Sequence, residues 1–158
     1  MGLHGDPAAA GSLFFQLSST GYARVSPHES RHLPKIIPDT PSAPEPMGPY
    51  SLAAEAGGLV FLAGQVGLDP ATGERAPDDV AAQTRQVMSN IGGILADLGL
   101  GYGDIVKTTV FLADIGDFSV MNEVYAPYFE AGFPARSAVQ AGALPGGFLV
   151  EIEVVAAR

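Results

Sequence analysis

The sequence has no cysteine, and its three histidines, His4, His28 and His32, all fall within the first 32 of its 158 residues. Without cysteine the chain has no disulfide, no thiolate metal ligand and no cysteine nucleophile. If residues 1–32 are not part of the folded domain, that domain also lacks the histidine used by serine triads, by many general bases and by the usual zinc sites. Its chemistry must then come from Arg, Asp, Glu, Tyr, Asn, Ser, Thr or backbone groups.

Positive charge is also scarce, since 8 basic residues stand against 17 acidic ones and the net charge is −9. An acidic surface repels phosphate backbones, so we expect no nucleic-acid partner. No apolar run reaches the length of a membrane span, and the N-terminus lacks the features of a secretory signal. We therefore expect no membrane partner and a cytoplasmic location. The carboxylates form no recognisable cation loop, so no metal is expected either.

Length and a hydrophobic content of 47% predict one globular domain with a sizeable core. Residues 1–32 are rich in Gly, Ala, Ser and Pro and show no sustained hydrophobic period. We interpret them as an N-terminal extension that is disordered or reflects a non-native start, and we expect them to be dispensable. The domain then covers residues 33–158. The extension carries two acidic and two basic residues, so the whole net charge falls on the domain.

Hydrophobic spacing predicts the order strand, strand, helix, strand, helix, strand, strand, with the two helices on one face of a sheet. Gly64 interrupts the second strand, which indicates a β-bulge or a close approach of a ligand to the backbone. The first helix should begin near Asp78 or Asp79 and end at Gly99. Two glycines inside it suggest a helix pressed close against the sheet.

The second helix should be capped by Asp117 and end or kink at Pro127. The last stretch, residues 133–156, reads as a hairpin whose turn is Leu144-Pro-Gly-Gly. Arg136 lies on its first strand, and Glu151 and Glu153 lie on its second.

With two helices on one face of the sheet, the other face should carry Glu151, Glu153 and Arg136. No further helix remains to cover that face, so we expect another subunit to bury it. On the residues alone, Arg136 and Glu151 could equally form a plain cross-strand ion pair.

Six fragments in register carry a resemblance to a known family. They are Gly48-Pro-Tyr-Ser51, Leu62-Ala-Gly-Gln65, Asp104 to Ala113, Asn122-Glu-Val-Tyr125, Pro134-Ala-Arg-Ser-Ala-Val139 and Val150-Glu-Ile-Glu153. Together they resemble the RidA (YjgF-type) family from about residue 35 to the C-terminus. The resemblance implies a chorismate-mutase-like α+β fold with a mixed sheet, a homotrimer with active sites between subunits, and hydrolysis of 2-imino acids such as 2-iminopropanoate and 2-iminobutanoate. It also implies catalysis without metal or organic cofactor.

The same resemblance assigns roles to individual residues. Arg136 matches the family arginine that binds the substrate carboxylate, and Glu151 matches the carboxylate associated with the hydrolytic water. Tyr50, Asn122 and the backbone around Gly64 match positions that line the cleft. Ala138 takes a place that is cysteine in some members.

Several alternatives stay open on the sequence. Tyr50 could be a core aromatic and Asn122 a helix-surface residue, whereas Lys107 and Glu153 suggest structural or interface roles. The protein could be a non-enzymatic module that binds a small carboxylate in the same trimer cleft. It could also be a chaperone-like protein that works through exposed apolar surface. A nuclease role ranks last, because the domain has no histidine and is strongly acidic.

Overall fold

The computed structural model describes residues 33–130 and 132–158. The prediction of an N-terminal extension over residues 1–32 lies outside the described residues. The predicted order of strands and helices is confirmed. The elements are β1 (Ala53–Ala56), β2 (Leu59–Val66), α1 (Val80–Asp97), β3 (Ile105–Leu112), α2 (Phe118–Tyr125), β4 (Ala135–Gln140) and β5 (Val150–Ala157).

The five strands form one sheet in the order β1-β2-β5-β3-β4. β3 and β4 are parallel with α2 as their crossover, and the other neighbouring pairs are antiparallel. The predicted hairpin of β4 with β5 is therefore wrong, because β5 lies between β2 and β3. β5 buries every second side chain along its whole length, which suits a central strand, whereas β4 is short and mostly exposed, which suits an edge.

The turn of the expected hairpin does exist, at residues 145–147, and Gly146 and Gly147 have positive φ angles of 66° and 69°. The predicted turn at residues 144–147 is thus confirmed, but the two strands that it connects, β4 and β5, are not neighbours in the sheet. The residues of a turn show only that the chain changes direction there. Which strands then pair depends on the burial of apolar surface across the whole sheet.

Helix α1 begins where the carboxylate pattern predicts. Asp79 is the N-cap, and its side chain accepts a hydrogen bond of 2.7 Å from the backbone N–H of Ala82. The helix ends at Asp97 with Leu98 as its C-cap, and Gly99 follows at the predicted C′ position with a φ angle of +70°. The two internal glycines do not face the sheet as expected. A Cβ on Gly92 would overlap the Tyr102 hydroxyl, so Gly92 makes room for that ring.

We expect Asp79→Ala to lower the free energy of unfolding by about 1 kcal/mol, because it leaves a helix N–H without its acceptor. The neighbouring Asp78 offers a matched control, since its exposed carboxylate pairs with Arg75 and caps no helix N–H among the described residues. Urea unfolding of both variants measures the difference. Equal losses for Asp79→Ala and Asp78→Ala would show that the cap does not stabilise the helix.

Helix α2 follows a short turn, residues 115–117, which is capped by Asp114. Asp117 occupies the predicted N-cap position of α2, but its side chain makes no capping hydrogen bond. The helix ends at Tyr125, two residues before Pro127, and continues as a single tighter turn. The prediction that Pro127 ends the helix is thus confirmed.

The core lies between the helices and the inner face of the sheet. Its fully buried side chains include Val110, Ile152 and Met121. No described element covers the outer face of the sheet in residues 33–130 and 132–158, where Phe61 is 45% and Val139 is 46% exposed. Within that part of the chain, no helix is long and apolar enough to cross a membrane.

Candidate active site

Arg136 lies on the helix-covered face of the sheet, at its β4 edge. It pairs in register with Thr108 of β3, which is buried and faces the helices. The guanidinium carbon lies 4.9 Å from the ring centroid of Tyr125 and 5.4 Å from that of Phe118. Both rings belong to α2, so the crossover from β3 to β4 positions the arginine. The prediction that Arg136 shares the outer face with the glutamates is wrong.

A hydrogen bond in the core holds the Tyr125 ring in place. Its hydroxyl lies 2.9 Å from Thr108 Oγ1 in the core. Burial raises the pKa of the Tyr125 hydroxyl, so the group stays protonated and the hydrogen bond persists over a wide pH range. The ring thus offers Arg136 a fixed face for a cation–π contact.

Arg136 opens into a cavity of about 430 Å³ that is otherwise lined by Asn122, Tyr125, Ala126, Phe133 and Pro134. Ion pairs in the described part of the chain join Arg75 to Asp78 and Arg158 to Glu55. Arg136 therefore has no carboxylate partner there. A planar cation without a partner, beside an apolar wall, is suited to bind the carboxylate of a small molecule.

Glu151 lies in a second cavity, of about 380 Å³, on the outer face of the sheet. The other lining residues are Met47, Tyr50, Ala63, Gly64, Val66 and Pro145. The register of β2 against β5 shifts between Leu62 and Gln65, which confirms the β-bulge predicted at Gly64. A Cβ on Gly64 would overlap the Glu151 carboxylate, so only glycine lets that side chain lie across the strand.

Tyr50 completes this second cavity. Its side chain is 46% exposed, so the reading as a core aromatic is wrong. Its hydroxyl accepts a hydrogen bond of 3.3 Å from the backbone N–H of Met47, which fixes the ring at the end of the proline-rich segment.

Burial raises the pKa of the half-buried Glu151 carboxyl, and the nearby Glu153 charge raises it further. A raised pKa makes a carboxylate a better proton acceptor near neutral pH. In this environment Glu151 is suited to act as a general base toward water.

Five of the six predicted site residues thus fall into two half-sites on opposite faces of one sheet. The Arg136 half-site includes Asn122, and the Glu151 half-site includes Tyr50 and Gly64. Strand β3 separates β4 from β5. Arg136 and Glu151 therefore cannot form the cross-strand ion pair within one chain, and that alternative is wrong.

Three other predicted residues have simpler surroundings. Ala138 packs against the core and does not line the Arg136 cavity. Lys107 donates hydrogen bonds to the backbone oxygen of Thr108 at 2.8 Å and to Ser137 Oγ at 3.1 Å, so no carboxylate pairs with it among the described residues. Glu153 is exposed on the outer face.

The sequence analysis did not identify several contributors to the half-sites, among them Tyr125, Met47, Phe118, Phe133 and Pro145. The sequence offers only a weak signal for these residues, which is a large apolar side chain close to a cation. Phe133 lies just before Arg136 in an otherwise small-residue segment, and it is 69% exposed. A large apolar side chain left in water beside a cation marks a binding surface rather than a core position.

A single mixed sheet with two helices on one face places the protein in the chorismate-mutase-like α+β class. A family model described as endoribonuclease L-PSP matches residues 40–158. The chain is 48% identical over 124 residues to 2-iminobutanoate/2-iminopropanoate deaminase of Bos taurus, which covers 78% of this chain and 90% of the relative. Solved structures agree on the fold. The YjgF gene product of E. coli is 44% identical with a TM-score of 0.72, and the match covers 77% of this chain and 97% of that one.

E. coli TdcF with bound serine is 42% identical with a TM-score of 0.74, covering 78% of this chain and 98% of that one. The chain therefore belongs to the RidA family, also called YjgF or endoribonuclease L-PSP. The family resemblance noted on the sequence is confirmed, and so is the fold class that it implies.

Proposed function

We propose that the protein is a hydrolytic deaminase that converts reactive 2-imino acids to 2-oxo acids and ammonia. The observation that carries this proposal is the Arg136 guanidinium, which opens into an apolar cavity without a carboxylate partner in residues 33–130 and 132–158. The name of the bovine relative, 2-iminobutanoate/2-iminopropanoate deaminase, supports the same substrate class. So does the serine bound to the E. coli relative, since serine is a small molecule with a carboxylate beside a nitrogen-bearing carbon.

Arg136 binds the substrate carboxylate through two parallel N–H···O bonds, and this fixes the plane of the molecule. Glu151 accepts a proton from water as the water oxygen bonds to the imine carbon. Glu151 passes that proton to the imine nitrogen, which becomes an amine on a tetrahedral carbon. As the carbon–nitrogen bond breaks, the proton of the remaining hydroxyl passes to the amine nitrogen, which leaves as ammonia, and the 2-oxo acid remains. Positioning and one general base suffice, because imines hydrolyse readily.

The two half-sites complete each other only if they come from different chains. In the proposed homotrimer, the Arg136 edge of one chain faces the Glu151 surface of the next. The exposed apolar side chains Phe61 and Val139 on the uncovered sheet face support burial by another copy. A closed ring of identical contacts is the usual way in which such heterologous surfaces are satisfied.

Complementation between two inactive variants tests this arrangement. We expect Arg136→Ala and Glu151→Gln each to be inactive alone, because each destroys one half of every site. Co-refolded in equal amounts, they should recover about one quarter of the wild-type activity, since random assembly places an intact Arg136 opposite an intact Glu151 in about one site of four. Mixed assemblies with no recovered activity would contradict a site shared between chains.

The raised pKa of Glu151 gives a pH test. Activity requires the ionised carboxylate, so kcat/KM should fall on acidification at a higher pH than the ordinary pKa of glutamate would give. Glu153→Gln removes the nearby like charge and should move this fall to lower pH, with the plateau at high pH unchanged. A wild-type fall no higher than the ordinary pKa of glutamate would contradict the assignment to Glu151, and a profile that does not respond to Glu153→Gln would show that burial alone raises the pKa of Glu151.

The direct test of the function is a coupled assay. A pyridoxal-phosphate-dependent serine or threonine dehydratase generates the imine, and release of the 2-oxo acid is followed with and without this protein. Faster release supports the proposal.

A non-enzymatic module that binds small carboxylates is the second candidate, and the serine held by the E. coli relative favours it. Binding of serine that is lost in Arg136→Ala, without any acceleration in the coupled assay, would favour that candidate over the enzyme.

A further inference from the structure

Arg75 lies in the loop between β2 and α1 and takes no part in the chemistry described above. The loop is closed by backbone hydrogen bonds, from Asp69 N–H to Glu74 O at 2.9 Å and from Ala76 N–H to Gly67 O at 2.8 Å. These hydrogen bonds fix the backbone of the loop on either side of Arg75. The loop leaves β2 directly after Val66, which lines the Glu151 half-site.

The guanidinium of Arg75 binds one turn of the chain in three ways. Nη1 donates to the Gly146 carbonyl at 2.7 Å, and Nη2 donates to the Gly147 carbonyl at 2.6 Å. The guanidinium carbon also lies 4.6 Å from the ring centroid of the buried Phe148. Asp78 Oδ1 also lies 2.8 Å from Nη2 and forms an ion pair with the guanidinium. A planar fork is needed to reach both carbonyls at once.

The turn that Arg75 holds is the one before β5. Gly146 and Gly147 both have positive φ and carry no side chain that could anchor the turn. Pro145, at the start of the turn, forms part of the wall of the Glu151 half-site. At the other end, the Leu149 N–H donates to Gln83 Oε1 at 2.8 Å. Between these points, Arg75 adds two side-chain hydrogen bonds to a glycine segment that is otherwise held by the Gly147 N–H to Leu144 O bond within the turn.

We propose that Arg75 is a positioning residue of the Glu151 half-site. It holds the glycine turn so that Pro145 closes the cavity in which Glu151 and the attacking water lie. Arg75 does not touch the substrate. The effect on turnover rests on the proposed deaminase function, whereas the effect on the turn does not.

The kinetic test uses Arg75→Gln, Arg75→Lys and the control Arg85→Gln. Arg85 lines the neighbouring cavity with Arg75 but is exposed on α1. We expect kcat/KM to fall roughly 10-fold to 100-fold in Arg75→Gln, since a small misplacement of the site costs rates of this order. Arg75→Lys should fall between Arg75→Gln and wild type, because an ammonium retains the charge but not the fork. Arg85→Gln should match wild type.

A double-mutant cycle separates positioning from a general loss of stability. If Arg75 acts by positioning Pro145 in the wall of the Glu151 cavity, Arg75→Gln should reduce kcat/KM per folded protein little further in a Pro145→Ala background. Additive losses, or normal kcat/KM in Arg75→Gln, would overturn the proposal.

Hydrogen exchange gives a readout that needs no activity. The Gly147 N–H is bonded to Leu144 O at 3.0 Å within the turn. Its exchange should be faster in Arg75→Gln and unchanged in Arg85→Gln. Unchanged exchange in Arg75→Gln would refute the role of Arg75. If the turn loosens but the wild-type protein does not accelerate imine hydrolysis, the proposed function fails while the anchoring of the turn stands.

Discussion

Arg136→Ala is expected to abolish imine turnover while leaving a folded, assembled protein. The loss of a charge-assisted bidentate contact in a desolvated site costs on the order of 2–5 kcal/mol. This corresponds to a fall in kcat/KM of about 30-fold to several thousand-fold.

The stability of Arg136→Ala should change much less than its activity. The guanidinium has no ion-pair partner in the described part of the chain, and its contacts there with Phe118 and Tyr125 are cation–π contacts at the sheet edge. Such contacts contribute roughly 0.5–1 kcal/mol each at exposed sites. The melting temperature, recorded beside turnover per folded protein, separates the two effects.

Arg136→Lys sharpens the same test. An ammonium retains the charge but cannot reproduce the planar fork, so this variant should also be badly impaired. Arg85→Ala removes an exposed guanidinium elsewhere on the surface and is the matched control. Near-normal turnover in Arg136→Ala or Arg136→Lys would mean that Arg136 is structural and that the site is assigned wrongly.

The second large effect is expected for Gly64→Ala. The new methyl group would occupy the space of the Glu151 carboxylate, so the carboxylate must move by about 1 Å or more. Displacements of this size in a general base cost about 100-fold in rate. Gly103→Ala is the control, because a Cβ at Gly103 meets nothing within 4 Å.

The cause of the Gly64→Ala effect can be isolated with a second substitution. In a Glu151→Ala background the methyl group at residue 64 no longer has a carboxylate to displace. Any loss of stability caused by Gly64→Ala should therefore shrink when Glu151→Ala is also present, as measured by urea unfolding. An equal loss in both backgrounds would show that the backbone of the bulge, and not the carboxylate, requires glycine.

Local signals predicted the elements well. The N-cap carboxylate of Asp79, the helix end at Gly99 and the bulge at Gly64 each depend on a few neighbouring residues, and each is confirmed. These features are decided by backbone geometry and hydrogen bonding over short stretches of chain.

The pairing of strands could not be read in the same way. The turn before β5 predicts a pairing of β4 with β5, whereas β4 pairs with β3, to which α2 connects it. That error also placed Arg136 on the wrong face, because facing depends on register with the actual neighbour. Thr108 pairs in register with Arg136 and is buried, so both side chains lie on the helix-covered face. The burial of Thr108 depends on packing between distant parts of the chain, which a local sequence pattern does not show.

In the proposed assembly, the location of the two half-sites on opposite faces of the sheet would make the activity depend on protein concentration. In the proposed assembly a single chain carries two incomplete halves and no whole site. Dilution below the dissociation constant of the assembly would abolish the proposed activity even though each chain remained folded. For the same reason, a defective copy expressed beside a normal one would impair sites that include residues of the normal copy, so such a defect would act dominantly within mixed assemblies.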